Sequence, residues 1–469
     1  MLARGRFLGF IFGLGIVTSA GAVSPPPMAI EHVNVLPMNV QGQSLRDVTV
    51  IIQDGRIASI TEASNKHVLK DMKRIDGSGK WLMPGLTDMH VHLDHDVVRR
   101  LQEKLGRSPE DPYLIPEDIF APYIANGVLQ VVDLQSMSEL IGLRVEVESG
   151  RVLGPRIFLA AMIDGSPPVW PVGTTRVATT PEGGRQAVRD AAAEGYDLIK
   201  VYSRLDLKTF TAIVDEARKM KLRVAGHIPA RGKGITDQFF QPGFDLVAHA
   251  EEFAQQTLPP DAQRIPEYIE MCNRHGAGLI ATLNVDTKIL EQARDLRSFK
   301  QRQELRFMSP RQYRVTLYDN PYVANAKSDP DFIHYIENIV SFNSKLVPAF
   351  VAAGIPVFAG TDSGIPGIVP GFSLHDELEL LANNGLTTLQ ALEAATRLPS
   401  EWLGVLADRG TVEVGKRADL LLLDDNPIKD IRNTRRIAAV FIGGRYLPRK
   451  ELDQRLKRLE SRTLTMQGH

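Results

Sequence analysis

The chain has 469 residues, of which 43% are hydrophobic and 24% charged, and its formal net charge is −1. This is ordinary globular composition with enough apolar material for a sizeable core. No long basic run or acidic tail stands out, so no nucleic-acid partner is expected. The length suggests more than one domain, although a single (β/α)8 barrel absorbs ~250 residues.

The N-terminus reads as an export signal. Arg4 and Arg6 open it, residues 7–17 form a short apolar run, and Ala20-Gly21-Ala22 fits a small-residue cleavage pattern. The run is shorter than the ~20 residues of a membrane span. Residues 1–22 are therefore expected to be removed, leaving a periplasmic or secreted protein with no membrane attachment; an uncleaved anchor is the alternative. Removal shifts the formal charge to −3. Cys272 is the only cysteine, which excludes an intrachain disulfide and a thiolate metal cluster. It reads as a small buried residue in a helix.

Residues 23–80 contain short alternating segments. Residues 48–52 and 56–60 read as a hairpin about Asp54-Gly55. Residues 405–448 match them in style, with strands at 418–423 and 437–441 and a turn at Gly443-Gly444. Together these two pieces are expected to form one small β-sandwich. Residues 449–469 read as a charged terminal helix and tail.

Between them, in residues 81–404, short apolar runs alternate with helix-period stretches. Eight strand candidates stand out, at 86–92, 128–133, 156–160, 197–202, 223–227, 245–249, 278–282 and 356–362. Alternating β and α with buried strands predicts an α/β fold with a parallel sheet, and eight units predict a closed (β/α)8 TIM barrel. An open doubly wound sheet is the alternative. Residues 94–117 and 284–330 are too long for simple βα loops. Such insertions shape a pocket or act as lids, or else form bare surface or a subunit contact; the chain is compatible with a homo-oligomer.

Chemistry is concentrated at the strand ends. In Asp88-Met89-His90-Val91-His92 the two imidazoles are two residues apart on a strand and face one side. Lys200 sits inside the apolar segment Leu198-Ile199-Lys200-Val201-Tyr202, where a charge is costly unless it is paired or neutral. His227, His249 and Asp362 end three later strands. Each alone has an ordinary explanation as a bonded core histidine, a snorkelling lysine or a helix-capping aspartate. In a barrel, however, all six meet at the C-terminal face, where active sites of this fold lie. The spacings agree: Lys200 to His227 is 27 residues and His227 to His249 is 22, each about one βα unit.

This order of ligands resembles the amidohydrolase superfamily with a two-metal centre. The segments Gly226-His227-Ile228-Pro229, His249-Ala250-Glu251-Glu252-Phe253 and Gly360-Thr361-Asp362-Ser363-Gly364 resemble its imidazolonepropionase-related and Xaa-Pro dipeptidase (prolidase-like) branch. That family commonly has threonines in the second strand, where this chain has Leu129-Gln130. The resemblance implies that His90, His92 and Asp362 hold the more buried of two divalent metal ions, and His227 and His249 the other. Lys200 would bridge them as N6-carboxylysine. Zinc is the foremost candidate, with manganese, cobalt or iron as alternatives. It further implies a metal-bridged hydroxide attacking the carbonyl of an amide, a dipeptide or an N-acyl amino acid, with Asp362 moving the proton to the leaving amine. Tyr202 faces the same way as Lys200 and is a candidate to support the oxyanion; a wall aromatic is the alternative. The small-molecule substrate is expected to carry a carboxylate, for which Arg204 is a candidate partner by position. His95, His375 and Glu252 lie near the motifs without an assigned role. A lactonase or phosphotriesterase using the same centre, or a non-catalytic barrel binding protein, are the competing functions.

Overall fold

A computed structural model of the chain describes residues 26–63, 72–93, 115–170, 174–229 and 234–467. The signal-like segment, His95 and most of the 94–117 insertion lie outside them. Among the described residues no helix is long and apolar enough to cross a membrane.

The eight strand candidates all form, in one parallel sheet and in chain order. They are β1 (Leu86–Val91), β2 (Val128–Asp133), β3 (Arg156–Asp164), β4 (Leu198–Val201), β5 (Arg223–Gly226), β6 (Leu246–Ala248), β7 (Gly278–Ile280) and β8 (Val357–Phe358). The sheet curls until its ends meet. Met89 N donates to Ala359 O at 3.0 Å, Asp362 N to His90 O at 2.8 Å, and His92 N to Ser363 O at 2.7 Å. One apolar cluster takes a residue from every strand: Met89, Val132, Phe158, Leu198, Ala225, Leu246, Ile280 and Phe358. The barrel interior is thus a packed core and not a pore. Gln130, at the departure from the family pattern, is buried and donates to Thr87 Oγ1 at 3.2 Å, so it ties β2 to β1 and touches no expected ligand.

Several strands stop earlier than the apolar pattern suggests, for one reason. His249, Thr282 and Asp362 have φ of 81°, 45° and 58°. A residue in the left-handed region leaves the strand and turns its side chain off the pleat. Gly360 shows how tightly this end is packed, since a Cβ there would sit 2.5 Å from Ile280 Cγ2 and 3.1 Å from His90 Cβ.

The two terminal pieces form one eight-stranded, mostly antiparallel sheet. Its central join is between Trp81–Pro84 and Leu420–Leu423, which pair antiparallel. Both pieces contribute to its own core, through Ile30, Val50 and Ile57 on one side and Leu420, Ala439 and Phe441 on the other. The hairpin turn at Asp54-Gly55 has φ of 49° and 73°, and that at Gly443-Gly444 has 55° and 78°. Two consecutive positive φ values match the twist of the flanking strands. The terminal helix runs over Arg449–Gln467. It docks on the helix Pro116–Ala125, where Arg449 donates to Ala125 O at 2.9 Å and Arg462 pairs with Asp118. The 284–330 insertion is helical, with segments Leu283–Phe299, Pro310–Leu317 and Pro321–Ser328.

Two outcomes test this packing. Gly226 has φ of 144°, and a Cβ on it would lie 2.1 Å from Val201 O, a backbone atom that cannot move aside. Gly226→Ala is expected to lower unfolding free energy by at least about 3 kcal/mol, read from the urea midpoint; a shift below about 1 kcal/mol contradicts the packing. Cys272 lies in the helix Ile265–His275, fully buried, with its thiol pushed up to about 12 by desolvation. It should resist a thiol reagent in the native protein and react after unfolding.

Candidate metal centre

The six expected ligands come together at the C-terminal end of the barrel. His90, His92, Lys200, His227, His249 and Asp362 are each 9% exposed or less. His90 Nε2 and His92 Nε2 lie 3.2 Å and 2.7 Å from Asp362 Oδ1. Lys200 Nζ is 3.2 Å from His90 Nε2. The rings then run in a continuous string. Centroids are 5.0 Å apart for His92 and His90, 4.6 Å for His90 and His249, 5.1 Å for His249 and His227, and 4.0 Å for His227 and Tyr202.

Residues outside the ligand set orient the imidazoles. Glu252 is fully buried; its Oε1 lies 2.9 Å from His227 Nδ1 and its Oε2 accepts from Ile228 N at 3.0 Å. Ser203 Oγ is 3.1 Å from the same Nδ1. Thr282 Oγ1 is 2.9 Å from His249 Nδ1. With Nδ1 engaged in both rings, His227 and His249 are left to present Nε2, the atom that His90 and His92 also turn toward Asp362. A carboxylate holding the far nitrogen of a ligating histidine fixes the ring and raises its basicity. Glu252 stood in the sequence three residues past His249 without a role; its pairing with a histidine 25 positions earlier was not readable from spacing.

The electrostatics follow from burial. Desolvation holds His90 well below the ordinary imidazole value and takes His249 down to about 3. Burial also brings Lys200 down to about 8, although Asp362, Asp133 and Glu252 pull the other way. Burial opposes ionisation of Asp362, but the facing imidazoles of His90 and His92 outweigh it, and the carboxyl is held well below its usual range. The Nε2 atoms of His90 and His92 and Oδ1 of Asp362 thus converge on one point, an arrangement suited to a shared cation. Ligand atoms of His90, His249 and Asp362 all fall within 4.8 Å of one another. This donor set fits a divalent ion of the zinc type.

The model of the amidohydrolase family matches residues 81–447. The chain belongs to the amidohydrolase family. An uncharacterized protein of Mycobacterium tuberculosis is 24% identical over 406 residues, covering 83% of this chain and 90% of that protein. Ochratoxinase of Aspergillus niger is 22% identical over 435 residues, covering 86% of this chain and 83% of its own length. Its crystal structure aligns with a TM-score of 0.66 at 20% identity, over 90% of this chain and 95% of that one. The crystal structure of a Xaa-Pro dipeptidase with bound methionine in the active site aligns with a TM-score of 0.66 at 19% identity, over 90% and 100% of the two chains. These structural likenesses establish a shared fold. Membership makes the chain a hydrolytic enzyme acting on a small molecule, in a family that usually binds metal.

Three other candidates of this amidohydrolase fare differently. Tyr202 joins the centre, with its ring against His227 and Lys200 Nζ 5.3 Å from its centroid. Arg204 does not: it is exposed, and its backbone N–H is bound to Asp164 Oδ1. His375 is buried elsewhere, against Thr434 at 3.0 Å. The 284–330 insertion supplies a residue that spacing did not single out. Burial, together with Asp362, Glu251 and Asp286, pushes the Tyr322 phenol upward.

Loss of the Glu252 charge should weaken metal binding without unfolding the barrel. Glu252→Gln is expected to reduce zinc affinity about tenfold in chelator competition. Unchanged affinity would limit Glu252 to holding the Ile228 N–H.

Proposed function

We propose that this chain is a binuclear metal-dependent amidohydrolase that cleaves an amide bond in a dipeptide, N-acyl amino acid or related carboxylate-bearing amide. The observation that carries the reading is the gathering of four inward-facing imidazoles, one carboxylate and one easily neutralised amine in a single buried site. His90, His92 and Asp362 would hold one ion, and His227 and His249 the other. Bound there, two divalent ions polarise the scissile carbonyl and acidify water to a nucleophile near neutral pH.

The side chains do the rest. Lys200, down at about 8, has a neutral fraction near pH 7. Its Nζ would add to carbon dioxide, forming an N–C bond and releasing one proton, and the carbamate would offer anionic oxygens to the ions. Asp362 turns Oδ1 toward His90 and His92. Its Oδ2 takes the proton of the attacking water and passes it to the leaving amine nitrogen. The Tyr202 hydroxyl donates to the oxygen on which charge develops. Export to the periplasm or medium, through residues 1–22, belongs to the same proposal.

A library of dipeptides and N-acyl amino acids, assayed on the zinc-loaded protein, tests this reading. Turnover of at least one member is expected, with a drop of about 100-fold or more in kcat for Lys200→Ala and for Asp362→Asn. Wild-type rates in both variants would reject the mechanism. Two bound ions without turnover of any amide or ester would favour a binding protein.

A further inference from the structure

Strand β3 ends on Asp164, whose carboxyl is fully buried. Its Oδ1 accepts from Gly165 N at 2.8 Å and Arg204 N at 2.7 Å, and its Oδ2 accepts from Val169 N at 3.0 Å. One carboxylate therefore ties the loop after β3 to the loop after β4. The two loops are also in hard contact, since a Cβ on Gly165 would lie 2.0 Å from the Arg204 carbonyl oxygen.

The first of these loops carries Trp170 and the second follows Tyr202. Trp170, half-buried, donates its indole N–H to the Tyr202 hydroxyl oxygen at 3.0 Å. An indole nitrogen is a donor only, so the phenol must be the acceptor here, and its own proton points elsewhere. The Tyr202 ring also packs against the His227 ring, at 4.0 Å and 39°. A phenol fixed by a ring contact and by an N–H bond has little freedom to swing into solvent. Preorganised donors of this kind spend no reorganisation energy when charge develops.

We propose that Trp170, on a loop pinned by Asp164, is a positioning residue that aims the Tyr202 hydroxyl at the oxyanion. The proposal rests on the role given to Tyr202 above. It explains why a buried carboxylate stands at the end of β3 with its oxygens on loop backbone and not on a metal ligand. It also separates two functions of the C-terminal face: the strand ends hold the ions, and the joined third and fourth loops hold the donor.

The test combines kinetics with a spectroscopic readout. Trp170→Phe, Tyr202→Phe and the double variant are compared on the amide best turned over in the library. Indole 15N–1H spectra are recorded on the zinc-loaded protein; the chain has three tryptophans, and the resonance missing in Trp170→Phe identifies the one concerned. Tyr202→Phe is expected to lower kcat about 100-fold. Trp170→Phe should lower kcat roughly tenfold with KM within about twofold, and should cost nothing more in the Tyr202→Phe background. The Trp170 indole resonance should move in Tyr202→Phe. An unmoved resonance, full kcat in Trp170→Phe, or an undiminished Trp170 effect in the double variant overturns the positioning role and leaves that of Tyr202 standing. Full kcat in Tyr202→Phe overturns both.

Discussion

The seam between the first and last barrel strands is the constraint on which the rest depends. Asp88 and Thr361 are 273 positions apart, yet Asp88 accepts the Thr361 hydroxyl at 2.6 Å and its backbone N–H at 3.0 Å. Asp88 also accepts from His90 N at 3.2 Å. Desolvation pushes this carboxyl up to about 7, and the three donors only partly counter it. A group so costly to bury is tolerated because leaving those donors unmade costs more, of order 1–3 kcal/mol each. Its effect is positional: it sets the ends of β1 and β8 side by side, so that His90 and His92 face Asp362.

The site itself is built against local preferences. His249, Thr282 and Asp362 all have positive φ without being glycine, and each such residue costs of order 1–3 kcal/mol. The surrounding core offsets this. In return, three consecutive strand ends turn their side chains inward where a regular pleat would point half of them away. Burying the imidazoles adds a second cost, met by Glu252, Ser203 and Thr282 on the far nitrogens of His227 and His249. Strain and burial are therefore concentrated where the chemistry is.

Much of this was legible in the sequence. Short apolar runs located all eight strands, because a strand buried on both faces leaves a nearly continuous apolar signature. The ligands were legible for the same reason: a charged or imidazole group at the end of such a run stands out. Three kinds of feature were not. Strand ends were misjudged at His249, Thr282 and Asp362, since a left-handed turn at a non-glycine residue carries no compositional signal. Supporting groups such as Glu252, Asp164 and Trp170 act on partners brought together only by the closed fold. Arg204 follows the right strand but is exposed, because spacing gives the loop and not the direction of a long side chain.

One feature of the terminal sheet bears on how the molecule is made. Residues 81–84 lead directly into the first barrel strand, and their sheet partners are 420–423. Translation must therefore deliver the barrel in full before the strand that precedes it finds its second neighbour, and the last helix must be released before it covers Pro116–Ala125. Such distant pairing makes assembly slow and leaves an unpaired edge on the nascent chain until synthesis ends. Holdase binding during synthesis suits that interval.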